Sequence, residues 1–177
     1  SGGIGTFAIQ LAKVLGAQVA TTTSTGNVGL VRGLGADEVV DYTQQAFETV
    51  LRGCDVVLGT VKGDSIEKSI GVLKPRGKIV SLVGPLDAAF ARDRGLNVVL
   101  SFVFRLMSHK IKRLARQRDV DYSFLFAHPD GDQLAQIGRL IEAQRIRPVI
   151  DKVFPFEQAK DALAHLARGR AKGKVVV

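Results

Sequence analysis

The chain opens Ser1-Gly2-Gly3-Ile4-Gly5 and runs straight into a segment where Ile4, Phe7, Ala8, Leu11, Ala12 and Leu15 recur with the i, i+3, i+4, i+7 spacing of one buried helical face. Glycines at the mouth of a helix are suited to gripping an anion. The first backbone N–H groups have no partner inside the helix and carry the positive end of its dipole. Without side chains in the way, a bulky oxyanion can come up against them. Gly2 and Gly5 fit the second and third glycines of a G-x-G-x-x-G loop, where the anion is the pyrophosphate of a dinucleotide. The expected pyrophosphate contacts are therefore Gly2, Gly3, Ile4 and Gly5. The first glycine of the pattern, and the strand that would enter the loop, would precede residue 1. The sequence is accordingly expected to be a piece of a longer protein.

A dinucleotide site selects NAD through an acidic residue about 20 residues past the loop, which hydrogen-bonds the ribose 2′-OH. Here the corresponding stretch reads Thr21-Thr22-Thr23-Ser24-Thr25-Gly26-Asn27, and no acid follows until Asp37. A carboxylate would repel a 2′-phosphate, whereas a hydroxyl cluster accepts one. NADP(H) is the expected cofactor, with Arg32 the nearest cation in sequence.

Several elements must position these residues. Gly16 stops the first helix. Val19–Thr23 is expected to be a strand, Asn27–Leu34 a helix, Glu38–Asp41 a strand and Gln44–Leu51 a weak helix. Asp55–Leu58 is a buried strand, Asp64–Leu73 a helix, Pro75-Arg76-Gly77 a turn and Lys78–Val83 a buried strand. After Asp87 the pattern loosens. Leu96–Leu100 reads as a strand and Phe102–Arg118 as one basic helix. A further helix follows Asp130, then a strand at Pro148–Phe154, a helix at Glu157–Ala167 and a strand at Lys174–Val177. Alternating strands and helices with short connections predict an α/β fold, a Rossmann-like doubly wound parallel sheet lacking its first strand.

Composition narrows the alternatives. Hydrophobic residues make up 46% and charged residues 24% of the 177, an ordinary globular balance. No apolar run reaches membrane-spanning length. The single cysteine, Cys54, rules out an intrachain disulfide, and its run of apolar neighbours suits a small core residue. A reducing, cytoplasmic setting is expected. The net charge of +8 is drawn partly from Lys110, Lys112, Arg113, Arg116 and Arg118, beside His109. With no aromatic residues interleaved, this run reads as a solvated face, so neither nucleic acid nor membrane is the expected partner. His109, His128 and His165 are scattered, so no metal site is expected within the chain. No Ser-His-Asp or Cys-His arrangement stands out, and no catalytic residue is assigned.

Three segments carry a family resemblance. Gly2-Gly3-Ile4-Gly5-Thr6-Phe7-Ala8-Ile9-Gln10-Leu11-Ala12-Lys13 resembles the G-G-V-G…Q-L-A-K segment of quinone oxidoreductase-like medium-chain dehydrogenase/reductases. Leu34-Gly35-Ala36-Asp37-Glu38-Val39-Val40-Asp41-Tyr42 resembles their L-G-A-D-x-V-I-D-Y segment. Pro148-Val149-Ile150, Phe154-Pro155-Phe156, Ala159 and Gly173-Lys174-Val175-Val176 are similar to their C-terminal end. The resemblance implies a cofactor-binding domain over 1–145 and a segment, 146–177, that returns to the catalytic domain. It also implies that Ser24 lies near the 2′-phosphate and Tyr42 near the adenosine. Thr60 and Val61, and likewise Val83 and Gly84, would lie beside the nicotinamide ribose. Gly29 stands where many relatives carry a phosphate-binding lysine, and Lys62 where they usually carry glycine. The implied activity is NADPH-dependent hydride transfer to a quinone or another conjugated carbonyl, by a protein that forms homodimers. A zinc-dependent alcohol dehydrogenase, whose ligands would lie upstream, and a non-catalytic binding protein on the same scaffold are the alternatives.

Overall fold

A computed structural model describes residues 1–177. In chain order the elements are α1 (Gly5–Val14), β1 (Ala20–Thr23), α2 (Val28–Gly33), β2 (Glu38–Asp41), α3 (Phe47–Val50), β3 (Cys54–Gly59), α4 (Ser65–Ile70), β4 (Leu73–Ser81), α5 (Ala88–Asp93), α6 (Val98–Met107), α7 (His109–Gln117), β5 (Asp121–Phe124), α8 (Gly131–Glu142), β6 (Ile150–Val153), α9 (Ala159–Ala167) and β7 (Lys174–Val176). Every strand pairing is parallel, and helices intervene between most strands, so the fold is α/β and Rossmann-like. By packing, the chain divides into two units: Ser1–Phe47 with Pro129–Val177, and Glu48–His128.

In the first unit β1 pairs with β2, from Ala20 opposite Glu38 to Thr23 opposite Asp41, and β6 pairs with β7. The apolar stripe of α1 buries Ile9 in a cluster with Val19, Val31 and Ala36. The glycine-loop and L-G-A-D segments meet here. Lys13 Nζ lies 2.8 Å from Asp37 Oδ2, and the Val19 amide donates to the same carboxylate oxygen at 2.7 Å. The Lys13 hydrogen bond, then the Val19 amide, hold the Asp37 carboxyl below its ordinary value. Gly35, at φ +103°, makes the turn into this arrangement, where a side chain would be strained. Gln10 is buried. Its Nε2 donates to the Arg147 carbonyl at 2.9 Å, and its Oε1 accepts from the Arg147 amide at 2.8 Å.

In the second unit β4 is central, flanked by β3 and β5. Ile79 of β4 is fully buried among Ile66 and Ile70 of α4 and Ile111 and Ala115 of α7. β1 has β2 as its only ladder partner and β3 has only β4, so each keeps one edge with free backbone groups.

Four expectations need correction, and one strand was missed. Asp55–Leu58 is not a buried strand: within β3, Val56 is 62% and Leu58 42% exposed. Leu96–Leu100 is not a strand. Asn97 accepts from the Leu100 amide at 2.9 Å and starts α6 at Val98, so an asparagine cap overrides the β-branched run. Phe102–Arg118 is not one helix. The chain breaks at the buried Ser108, whose hydroxyl donates to the Phe104 carbonyl at 2.9 Å and closes α6 before α7 begins. The turn at Pro75-Arg76-Gly77 is an irregularity inside β4: Leu73 pairs with Cys54 but Lys78 with Val56, and Arg76 sits at φ +65°. β5 was not foreseen. It is only four residues long, and its Tyr122 is buried beside Ile79.

Candidate functional site

The mouth of α1 is bare. Ile4 occupies the N-cap in helical conformation without a side-chain cap, and no acid stands in the first turn. The Thr6 amide and hydroxyl both turn to the Gly2 carbonyl, at 3.0 and 3.1 Å, which fixes the loop from below. The amides of Gly3, Ile4 and Gly5 make no hydrogen bond within the protein. Lys174 adds a cation that sequence reasoning did not assign. Its Nζ lies 3.3 Å from where a Cβ on Gly3 would stand, so the missing side chain makes room for the ammonium. The same ammonium is 5.6 Å from the centroid of the Phe7 ring and forms no ion pair. Gly3, Gly173, Lys174 and Leu166 line a cavity of about 390 Å³. The signal was the Gly173-Lys174 pair, but nothing local ties it to the start of the chain.

Ser24 follows the last residue of β1 and stands at the N-cap of the short turn Thr25–Asn27. Asn27 Nδ2 donates to Ser24 Oγ at 3.3 Å and to Ser1 Oγ at 3.0 Å, so Asn27 gathers the end of β1 and the start of the glycine loop. No carboxylate joins this cluster. The acid at the end of the neighbouring strand, Asp41, is occupied. Hydrogen bonds from Thr25 and then Thr43, the latter at 2.7 Å to Asp41 Oδ1, keep its carboxyl below the ordinary value. Tyr42 is exposed, with its amide bonded to the Thr23 carbonyl at 3.0 Å.

The remaining expected residues lie on the second unit. Thr60 and Val61 leave the carboxyl end of β3 exposed to solvent, and Ser65 Oγ holds the Val61 carbonyl at 2.8 Å. Val83 and Gly84 leave the neighbouring carboxyl end of β4. Ser81 Oγ accepts from the Val83 amide at 3.3 Å and donates to the Gly84 carbonyl at 2.9 Å, and Tyr122 Oη donates to the Pro85 carbonyl at 2.7 Å. Burial pushes the Tyr122 phenol up to about 12, so it remains a donor. Asp87 caps α5 through the Phe90 amide at 3.0 Å and pairs with Lys112 at 2.8 Å. Val83, Gly84, Lys62 and Ile66 help to line a cavity of about 270 Å³. Carboxyl ends of parallel strands are where ligands enter such sheets.

A family model of zinc-binding dehydrogenases matches residues 34–177. The chain belongs to that family. Among curated relatives, the zebrafish NAD(P)H oxidoreductase RTN4IP1, mitochondrial, is 35% identical over the whole chain, which covers 46% of the relative. The chloroplastic NADPH-dependent alkenal/one oxidoreductase of Arabidopsis thaliana is 34% identical, with 38% of its length covered. The solved quinone oxidoreductase of Coxiella burnetii superposes with a TM-score of 0.78 at 28% identity, over 98% of this chain and 49% of that one. The chain thus spans half or less of the length of the curated relatives it matches. The quinone oxidoreductase-like resemblance within the medium-chain superfamily stands. The expected cytoplasmic location does not, because these relatives are named mitochondrial and chloroplastic. The family name implies zinc, but the donors here do not fit it. No three His, Cys, Asp or Glu side chains come together, and His165 is instead 2.6 Å from Asp151.

Proposed function

We propose that this chain holds NADP(H) and serves an oxidoreductase that reduces quinones or other conjugated carbonyls. The observation that carries the reading is the bare mouth of α1 with the Lys174 ammonium beside it. Gly2, Gly3, Ile4 and Gly5 would hold the pyrophosphate, and Ser24 would hold the 2′-phosphate without a competing carboxylate. Tyr42 would flank the adenosine, and Thr60, Val61, Val83 and Gly84 the nicotinamide ribose. The cofactor supplies the hydride, and these residues bind and orient it. The small-molecule substrate class rests on relatives named as quinone and alkenal/one oxidoreductases.

The test is a fluorescence titration with NADPH and NADH. Tighter binding of NADPH is expected. Ser24→Asp is expected to weaken NADPH by roughly a hundredfold, through lost hydrogen bonding and added repulsion, while NADH changes little. Equal binding of both nucleotides, or of neither, by the unaltered protein would defeat the reading.

A further inference from the structure

We propose that Asn27 is a positioning residue that sets the preference for a 2′-phosphate by fixing the polarity of two hydroxyls; this rests on the cofactor reading above. Asn27 Nδ2 donates to Ser1 Oγ at 3.0 Å and to Ser24 Oγ at 3.3 Å. A hydroxyl oxygen that accepts from an amide keeps its own proton to give away. Neither serine hydroxyl donates to any protein acceptor, so one asparagine leaves two O–H donors without partners and no acceptor competing for them. Such a pair suits a phosphate oxyanion and offers a neutral ribose hydroxyl less, because hydrogen bonds to charged groups are the stronger ones. The cluster is also incomplete within the protein. Asn27 Oδ1 and Thr23 Oγ1 are buried without a hydrogen-bond partner, an unfavourable state.

The experiment measures binding of 2′,5′-ADP and 5′-ADP by calorimetry, and of NADPH and NADH by fluorescence, to the unaltered protein and to Asn27→Asp, Asn27→Ala, Ser24→Ala and Ser24→Ala/Asn27→Ala. Asn27→Asp makes the hydroxyls donate inward and places a carboxylate beside them. Its ratio of 2′-phosphorylated to unphosphorylated affinity is expected to fall about a hundredfold, and that of Asn27→Ala about tenfold. On the Ser24→Ala background, Asn27→Ala is expected to add less than it does alone. A purely structural role would weaken both ligands alike and leave the ratio unchanged, which overturns the proposal. Additive effects in the cycle overturn it as well, and that arm remains readable if Asn27→Asp does not fold. Should the unaltered protein bind both nucleotides with an unchanged ratio in every variant, only the role of Asn27 fails. Should it bind neither, the cofactor reading fails too.

Discussion

Replacing Lys112 by methionine is expected to cost the Glu48–His128 unit about 2 kcal/mol, less than a fully buried pair because the lysine is partly solvated, read as a lower urea midpoint with an unchanged slope. The Asp87 side chain is 4% exposed, and Lys112 is its only ion-pair partner, at 2.8 Å. Methionine keeps most of the stem but leaves a carboxylate out of water with only amide support. Burial pushes the Asp87 carboxyl up. The Lys112 ammonium and the Phe90 amide outweigh this and hold it below its ordinary value of 3.8. A depressed carboxyl contributes its full stability above the unfolded value and loses it as pH falls through the folded value. The deficit of the variant is therefore expected to be largest near neutrality and to narrow below pH ~4, where the parent loses the contribution too. Asp87→Asn on top of Lys112→Met is expected to recover most of the loss, because asparagine still caps α5 and no buried charge remains. A double variant as unstable as the single one would mean that lysine packing, not charge pairing, carries the effect.

Gly173→Ala is expected to be more damaging, by about 4 kcal/mol or more. Gly173 sits at φ +101°, and a Cβ there would run into the Val149 carbonyl oxygen and stand 2.8 Å from Val149 Cβ. That carbonyl accepts from the Lys174 amide at 2.7 Å, so the backbone cannot retreat without parting β6 from β7. Gly169→Ala separates strain from collision. Gly169 is also left-handed, at φ +68°, but nothing lies within 4 Å of the added carbon, and about 1 kcal/mol is expected. Thermal melts of the two variants side by side decide the matter. Equal losses would show that conformation alone, not crowding against Val149, makes glycine necessary at position 173. The damaged variant is also expected to bind NADPH more weakly, because Lys174 moves with β7.

The legible parts of the fold were those encoded locally. The stripe of α1 lies in its own spacing, and β2 falls on Glu38–Asp41 because a β-branched pair stands between turn residues. The glycine mouth was legible for the same reason. What failed depended on single side chains acting against the surrounding pattern. The run Val98-Val99-Leu100 favours a strand until Asn97 offers its oxygen to the third amide. Ser108 ends a helix that the basic spacing would carry onward. β5 takes its identity from β4, a partner far off in sequence. Of the candidate site, Ser24 and the loop were named in advance, but Asn27 and Lys174 were not. Their contacts join residues that only folding brings together.

The Gln10–Arg147 link bears on how the protein can move. One amide side chain on α1 clasps both the carbonyl and the amide of Arg147. The helix and the approach to β6 are thereby yoked. The proton on the Arg147 nitrogen is correspondingly expected to exchange into heavy water only when α1 itself lifts away.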